Sequence, residues 1–294
     1  MAPADNIAQH PEVTGFFDEA TNTVTFVVKD SASNACCIVD SVLDFDYSSG
    51  RTDTRSADAV IAHVREKGLS VEWILETHVH ADHLSAAPYI QQETGGKIGI
   101  GANITIVQDT FGKIFNEGTE FQRDGSQFDQ LFREGDQFTV GGLGGRVMHT
   151  PGHTPACMTY VVGDAAFVGD TLFMPDYGTA RCDFPGGSAE MLFASIQKIL
   201  TLPDETRIFV CHDYKAPGRD SFAWETTVAE EKARNVHVSG KSAAEFVAMR
   251  EARDKTLGMP KLIIPSLQVN MRAGQMPPAD EQGLTFLKVP VNGL

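Results

Sequence analysis

The first part of the chain alternates apolar and polar residues with the period of half-buried β-strands. Residues 21–28 follow this alternation, and the apolar run 36–40 predicts a second strand. A helix is predicted over 56–67, because apolar residues recur there at helical spacing before Gly68. Its inward face consists of Ala57, Val60, Ile61 and Val64. This order of elements supports layered sheets with helices outside.

Further helices and strands can be predicted along the rest of the chain, except over 103–137, where the apolar residues show no clear period. Ser85 is predicted to cap a helix that ends at Gly95–Gly96, and a short strand follows at 97–100. Ser188 begins an amphipathic helix with Met191, Leu192, Ile196, Ile199 and Leu200 inward. Ser242 and Glu245 form a capping box. We predict a single domain over 1–294, with a helical and extended C-terminal segment from about 225 to 294.

Three histidines and one aspartate lie within six positions, directly after the β-branched, apolar run 71–75. These residues are His78, His80, Asp82 and His83. Imidazole nitrogens and carboxylate oxygens are the ligands that suit Zn, Fe, Ni or Mn. The whole chain has nine histidines, so a random distribution would rarely place three of them in one short loop. The loop therefore predicts a metal site at the end of a strand.

Three further ligand-type residues stand at the ends of apolar runs, where loops of an α/β fold converge on a site. They are His153, Asp170 and His212. Taken singly, each has a structural explanation as a turn residue, a cap or a half-buried core histidine. Taken with the first loop, they favour one shared metal centre.

This set of ligands resembles that of the metallo-β-lactamase superfamily, over about residues 14–220. Within the superfamily, the chain is most similar to the branch of glyoxalase II and persulfide dioxygenase. The likeness to the dioxygenases rests on segments 151–155, 169–173 and 181–184, and on the Asn-Met-Arg-Ala-Gly run at 270–274. The resemblance implies the αββα sandwich, in which two mixed β-sheets are flanked by helices.

The resemblance also implies one Fe(II) per subunit, held by His78, His153 and Asp170 with three positions open. Glutathione persulfide would be oxidised there by O₂ to sulfite and glutathione. The other ligand-type residues would orient these three through hydrogen bonds, or would hold a second metal. They are His80, Asp82, His83 and His212. Two metals would suit the main alternative, a thioester hydrolase of the glyoxalase II type.

The two carboxylates of glutathione favour guanidinium groups as partners. Arg181 matches the arginine of the family's Gly-Arg-x-Asp-Phe segment, but Ala180 replaces the glycine, and Arg181 could instead pair with Asp183. Tyr214 is the candidate hydroxyl near the iron, with catalytic and substrate-binding roles, or else an ordinary strand-end tyrosine. Arg272 could serve substrate binding, a subunit contact or packing.

Composition narrows the class of protein. Lys and Arg total 24 against 39 Asp and Glu, and a net charge of −15 disfavours nucleic acid as a partner. Five cysteines without a C-x-x-C pair indicate a reducing compartment, and Cys36 and Cys37 fit a buried strand. No apolar stretch has the length of a membrane span, and Met1–Asn6 lacks signal-peptide features. We therefore predict a cytoplasmic enzyme, without a membrane partner, that forms a homo-oligomer, either a dimer or a tetramer.

Two further functions fit the sequence less well. A noncatalytic sulfur- or metal-binding module would have no need of open metal positions on a strand-end scaffold. A β-lactamase would normally carry a secretion signal, and none is visible.

Overall fold

A computed structural model describes residues 10–293 of the chain. Fifteen strands and seven α-helices lie within these residues. In chain order they are β1 (Glu12–Asp18), β2 (Thr23–Lys29), β3 (Ala35–Val39), β4 (Val42–Asp46), β5 (Arg51–Asp53), α1 (Arg55–Glu66), β6 (Ser70–Leu75), β7 (Leu84–Ser85), α2 (Ala87–Thr94), β8 (Lys97–Gly101), α3 (Ile104–Ile114), β9 (Gln130–Phe132), β10 (Gln137–Val140), β11 (Leu143–His149), β12 (Met158–Val162), β13 (Ala165–Phe167), α4 (Ala189–Ile199), β14 (Arg207–Phe209), β15 (Glu225–Thr227), α5 (Val228–Arg234), α6 (Ala243–Asp254) and α7 (Ile263–Asn270).

Two six-stranded mixed sheets form the centre of the fold. The first has the order β1-β2-β3-β6-β8-β9, with an antiparallel part from β1 to β3 and a parallel part from β3 to β9. The second has the order β10-β11-β12-β13-β14-β15, and only its β13–β14 pair is parallel. A small ribbon, β5-β4-β7, lies beside them.

The two sheets pack face to face through aromatic and aliphatic side chains. Phe26 of the first sheet contacts Phe167 and Phe209 of the second, with ring centroids 5.5 and 5.4 Å apart. Helices α1, α2, α3 and α7 cover the outer face of the first sheet, and α4 and α6 cover that of the second. The predicted αββα sandwich is therefore confirmed.

Most of the predicted elements are present, with corrections at three places. Helix α1 buries the four apolar residues that its periodicity selects. Met191 in α4 is 40% exposed, so its inward assignment is wrong. Ser85 belongs to β7, one residue before the Ala86 N-cap of α2, although its hydroxyl accepts a hydrogen bond from the Ala87 amide. The illegible stretch 103–137 contains α3 and β9.

The C-terminal part packs on the sandwich and then becomes irregular. The predicted capping box of Ser242 and Glu245 is present at the start of α6, which packs on α4. Residues 276–292 form neither helix nor strand. Over the described range 10–293, the helices lack the length and apolar character that a bilayer crossing requires. The prediction about Met1–Asn6 concerns residues outside that range, and the single-domain assignment stays a prediction.

Candidate metal centre

The predicted ligands lie on four loops at one end of the sandwich. The loop after β6 carries His78 to His83, and the loop after β11 carries His153. Asp170 lies in a short 3₁₀ turn, Gly169–Thr171, after β13, and His212 lies just beyond β14. Backbone contacts join the two sheets at this end, because the Met158 amide donates to the Thr77 carbonyl and Thr23 bridges to His212.

The structure brings His78, His153 and Asp170 together. All three side chains are buried, and one ligand atom from each lies within 4.8 Å of the others. The imidazole Nε2 of His153 is 3.6 Å from Oδ2 of Asp170. Two imidazoles and one carboxylate are the donor types of the 2-His-1-carboxylate iron sites.

The other four ligand-type residues converge on the same place. His80, Asp82 and His83 form a second group whose ligand atoms lie within 4.8 Å of one another. Nε2 of His212 is 3.2 Å from Oδ2 of Asp82 and also 3.2 Å from Oδ1 of Asp170. Donors that share a cation at metal–ligand distances of about 2.1 Å are separated by roughly 3.0–3.5 Å, so these spacings suit a bound metal.

Unpartnered buried atoms support the same conclusion. Six of the seven residues have a buried nitrogen or oxygen that lacks a hydrogen-bond partner among residues 10–293. These atoms are Nε2 of His78, Nδ1 of His80, Oδ2 of Asp82, Nε2 of His83, Oδ1 of Asp170 and Nε2 of His212. Those of Asp82 and Asp170 each approach that of His212 at 3.2 Å without forming a hydrogen bond. A buried polar atom without a hydrogen bond is costly unless something neutralises it. The residues therefore fit a divalent metal, and their number is enough for two ions.

Hydrogen bonds to the second ring nitrogen set which nitrogen faces the centre. Nδ1 of His153 donates to the Arg181 carbonyl at 2.7 Å, which leaves Nε2 as the ligand atom. Nδ1 of His78 lies 3.0 Å from the Thr77 hydroxyl, which itself donates to Asp40 at 2.8 Å. Thr77 is thus the acceptor for His78, and Nε2 of His78 is free to bind metal.

Two buried carboxylates hold His80. Its Nε2 lies 3.0 Å from Asp40 and 3.2 Å from Glu76, so Nδ1 is the nitrogen that faces the centre. Burial opposes the charged imidazole, but Asp40 and then Glu76 raise the pKa of His80 well above its usual value. Burial and the neighbouring His80 and His153 imidazoles instead hold the pKa of His78 well below that value.

Asp40, Glu76 and Thr77 were not singled out from the sequence as part of the site. Asp40 follows the apolar strand β3, as the predicted ligands follow theirs, so strand-end position was a usable signal for it. It adopts a left-handed backbone with φ of 54°, and its carboxylate accepts the Thr77 amide at 2.7 Å. Glu76 accepts the Ser85 hydroxyl at 2.6 Å.

The C-terminal Asn-Met-Arg segment reaches the site through Asn270. Its Nδ2 donates to the carbonyls of His80 and His83, at 2.9 and 2.8 Å, and its Oδ1 accepts the Ser85 amide at 2.8 Å. One buried amide thus binds the loop that carries four of the ligands. The sequence indicated that this segment matters but did not indicate what it contacts.

A cavity of about 400 Å³ opens onto the metal centre, and His153, Asp170 and Asp82 form part of its wall. This volume is in the range of small-molecule sites. Tyr214 lines the cavity and stacks near His212, with ring centroids 5.8 Å apart. Tyr214 is 40% exposed as a residue, but partial burial of its hydroxyl and the Asp82 and Asp170 carboxylates raise its pKa above the usual value, so the hydroxyl stays protonated near neutral pH.

The two predicted substrate arginines have different surroundings. Arg181 lines the cavity, but its guanidinium grips Asp183 through Nε and Nη2 at 2.6 and 2.7 Å. Its Nη1 donates to the Gly258 carbonyl at 2.6 Å. Much of its charge is therefore already compensated within the protein. This agrees with the alternative raised from the sequence, in which Arg181 pairs with Asp183.

Arg272 does not line the cavity, and of the three roles that the sequence left open its surroundings favour packing. The side chain is buried, pairs with Glu117 at 2.8 Å and lies over the Phe121 ring. A buried, paired guanidinium of this kind is a packing group, because freeing it for a ligand would break a buried ion pair and leave Glu117 with Lys288 alone.

The αββα sandwich and the cluster of histidines and aspartates define a metal-binding enzyme. The sequence matches the metallo-beta-lactamase superfamily over residues 19–212, and the chain belongs to this superfamily.

Relatives of the chain carry different names. It is 56% identical to a probable metallo-hydrolase of Burkholderia pseudomallei strain 1710b, over 96% of this chain and 99% of that protein. It is 55% identical to a beta-lactamase hydrolase-like protein of Xylella fastidiosa strain Temecula1, over 97% of this chain but only 66% of that longer protein. It is 30% identical to the mitochondrial persulfide dioxygenase ETHE1 of Bos taurus, over 90% and 89%.

A solved structure shares the fold closely. The crystal structure of ETHE1 from Myxococcus xanthus superimposes with a TM-score of 0.72 at 31% sequence identity, over 90% of this chain and 100% of that one. The comparisons thus place the chain among relatives that include both a persulfide dioxygenase and proteins named as hydrolases.

Proposed function

We propose that the protein is a persulfide dioxygenase with one Fe(II) held by His78, His153 and Asp170. The carrying observation is that these three buried side chains bring one ligand atom each to within 4.8 Å of the others, and that His153 and Asp170 also line an open cavity. The likeness to ETHE1 over most of the chain supports this proposal. The overall reaction is that glutathione persulfide, O₂ and water give glutathione, sulfite and two protons.

The metal supplies redox chemistry when bound, since a ferrous ion with open positions lets O₂ react with a soft sulfur anion. The chain's residues supply orientation. His153 is aligned by the Arg181 carbonyl and His78 by Thr77, so both imidazoles present Nε2 to the centre. Tyr214, protonated near neutral pH, can donate a hydrogen bond to an anionic sulfur in the cavity.

Under this proposal the remaining ligand-type residues hold and orient the centre. His212 contacts Asp82 and Asp170, and Asp40 with Glu76 fixes His80. These contacts restrict the rotamers of the site before any substrate arrives. Such outer contacts typically change metal affinity or activity by about 10–100-fold when they are lost.

The test is oxygen consumption by protein isolated and loaded with iron under anaerobic conditions. We expect O₂ uptake and one equivalent of sulfite per glutathione persulfide, with S-lactoylglutathione left intact. His153→Ala is the negative control, because it removes one of the three donors. Thioester cleavage without O₂ uptake would refute the proposal.

One observation favours a second candidate, a dinuclear thioester hydrolase. The six unpartnered atoms include donors from both halves of the cluster, and they are sufficient for two ions. Two cations would activate a water and stabilise the oxyanion of a thioester. The relative at 56% identity is named a probable metallo-hydrolase. Metal analysis of freshly isolated protein separates the two, because the hydrolase requires two ions per chain and the dioxygenase one ferrous ion.

A further inference from the structure

The cavity beside the metal centre has basic side chains on its wall. Four arginine or lysine residues line it: Arg181, Arg250, Arg253 and Lys261. Each could in principle bind an anionic group of a substrate. Their partners within the protein decide which of them are available.

Two of the four are already compensated. Arg181 is held by Asp183 and the Gly258 carbonyl. Arg250 is buried and binds Asp254 through Nε and Nη2, at 2.8 and 2.6 Å, while its Nη1 donates to the Thr179 carbonyl. A guanidinium bound in this way adds little net positive charge to the cavity.

The other two differ. Arg253 and Lys261 are exposed, and neither side chain makes an ion pair or a hydrogen bond to another residue within 10–293. Lys261 also lines a second cavity of about 480 Å³, which shares Ala20, Thr21 and Asp82 with the first. Lys261 therefore stands where the two cavities meet.

Lys261 interacts with Asp46 only at longer range, so both cations lack a direct ion pair within residues 10–293. Such cations are informative because the protein is strongly acidic, with a net charge of −15. Carboxylates elsewhere on the surface repel an anionic substrate, and a local basic wall focuses it toward the site. The cation pair also lies in the same cavity as the metal donors His153 and Asp170. A molecule bound between them would have its reacting group at the metal and its carboxylates at the pair.

Arg181 has a supporting part in this arrangement. Its hydrogen bond to the Gly258 carbonyl ties the segment between Arg253 and Lys261 to the loop that aligns His153. The segment thus keeps a defined position relative to the metal centre. Arg181 acts here as a positioning residue for the cation pair.

We propose that Arg253 and Lys261 determine specificity by binding the carboxylates of a thiol-bearing peptide such as glutathione. This inference rests on the proposed function for the identity of the thiol. It does not depend on which reaction follows, because a glutathione thioester carries the same carboxylates.

The test compares Arg253→Gln and Lys261→Gln with Lys255→Gln in the metal-loaded protein. Lys255 is exposed on the same segment but does not line the cavity, so its variant removes the same charge without the same contact. Calorimetry under anaerobic conditions measures binding of glutathione and of glutathione diethyl ester, whose carboxylates are masked. Metal content and circular dichroism confirm that each variant is folded.

We expect each cavity variant to bind glutathione roughly ten-fold more weakly, about 1.4 kcal/mol, and to bind the ester like the parent. Lys255→Gln should change glutathione binding less than two-fold. Equal effects of all three variants, or none, would overturn the inference, as would a parent protein that binds the ester as tightly as glutathione. Oxygen uptake is measured separately. If the protein takes up no oxygen but the variants still weaken glutathione binding, the dioxygenase proposal is refuted and the role of Arg253 and Lys261 is supported.

Discussion

Asn270 offers the sharpest test of how the fold holds the metal centre. Its side-chain amide makes three hydrogen bonds to the metal loop, to the carbonyls of His80 and His83 and the amide of Ser85. Asn270→Ala leaves all three backbone groups buried without that partner. A buried polar group that loses its partner costs about 1–3 kcal/mol. For three such groups, with some of the cost removed by local relaxation, we expect a total loss of roughly 3–6 kcal/mol in the free energy of unfolding.

That loss is large against the 5–15 kcal/mol that typically stabilises a folded protein. We expect the melting temperature of Asn270→Ala to fall by roughly 5–10 °C. We also expect metal affinity to fall by about 10–100-fold, because His80 and His83 lose the anchor of their backbone. Thermal denaturation measures the first effect, and competition with a chelator of known affinity measures the second.

Gln268 provides a matched control on the same helix, α7. Its side chain also makes three hydrogen bonds, to the Ile264 and Lys288 carbonyls and from the Lys288 amide, but it contacts the C-terminal tail. Gln268→Ala should lower the melting temperature and leave metal affinity unchanged. If Asn270→Ala binds metal as tightly as Gln268→Ala, the metal loop does not depend on α7 and the reasoning is refuted.

Three other predictions concern the site and its support. His212→Ala should keep most of the iron if one ion is bound, and parent protein with two metal equivalents by elemental analysis would contradict this. Gly152→Ala should destabilise by about 3 kcal/mol or more in denaturant unfolding, since φ is 146° and a Cβ would stand 2.3 Å from the Leu192 backbone. Gly240→Ala is its control, with φ of 70° and open space around the Cβ, and should cost about 1 kcal/mol. Burial raises the pKa of Glu231 from 4.5 to about 8, so the folded state retains a proton that the unfolded state releases and stability falls from pH 4.5 to 8. Glu231→Gln should flatten that fall in melting temperature, and an unchanged slope would show that Glu231 is not its source.

The parts of the fold that could be predicted were those set by local periodicity. The buried face of α1 follows from four apolar residues at helical spacing, and the capping box of α6 follows from two residues three positions apart. Met191 was misassigned because it lies one position from the stripe of Leu192, Ile196 and Ile199, about 100° away around the helix. Within 103–137, strand β9 was missed because it contains only three residues. Helix α3 was missed although its buried residues Ile104, Val107 and Phe111 recur at helical spacing.

The ligand types and their strand-end positions were visible in the sequence, since imidazoles and carboxylates after apolar runs have little use in a core. Their mutual distances were not, because they depend on how four loops from two sheets meet. The partners of Arg181 and Arg272 outside their own segments were likewise not visible in the sequence, because they lie far away along the chain. Arg181 contacts Gly258, 77 positions further along the chain, and Arg272 contacts Glu117.

The sequence by itself determined the chemistry available to this protein: a superfamily, a set of metal donors and an acidic surface. Only the tertiary structure decided which nitrogen of each histidine faces the centre and that Asn270 binds the metal loop. It also decided that Arg253 and Lys261 line the cavity without an ion pair to any residue within 10–293. The physical reason is range. Periodicity and capping act over a few residues, whereas hydrogen bonds and ion pairs form between groups that folding brings together from distant parts of the chain.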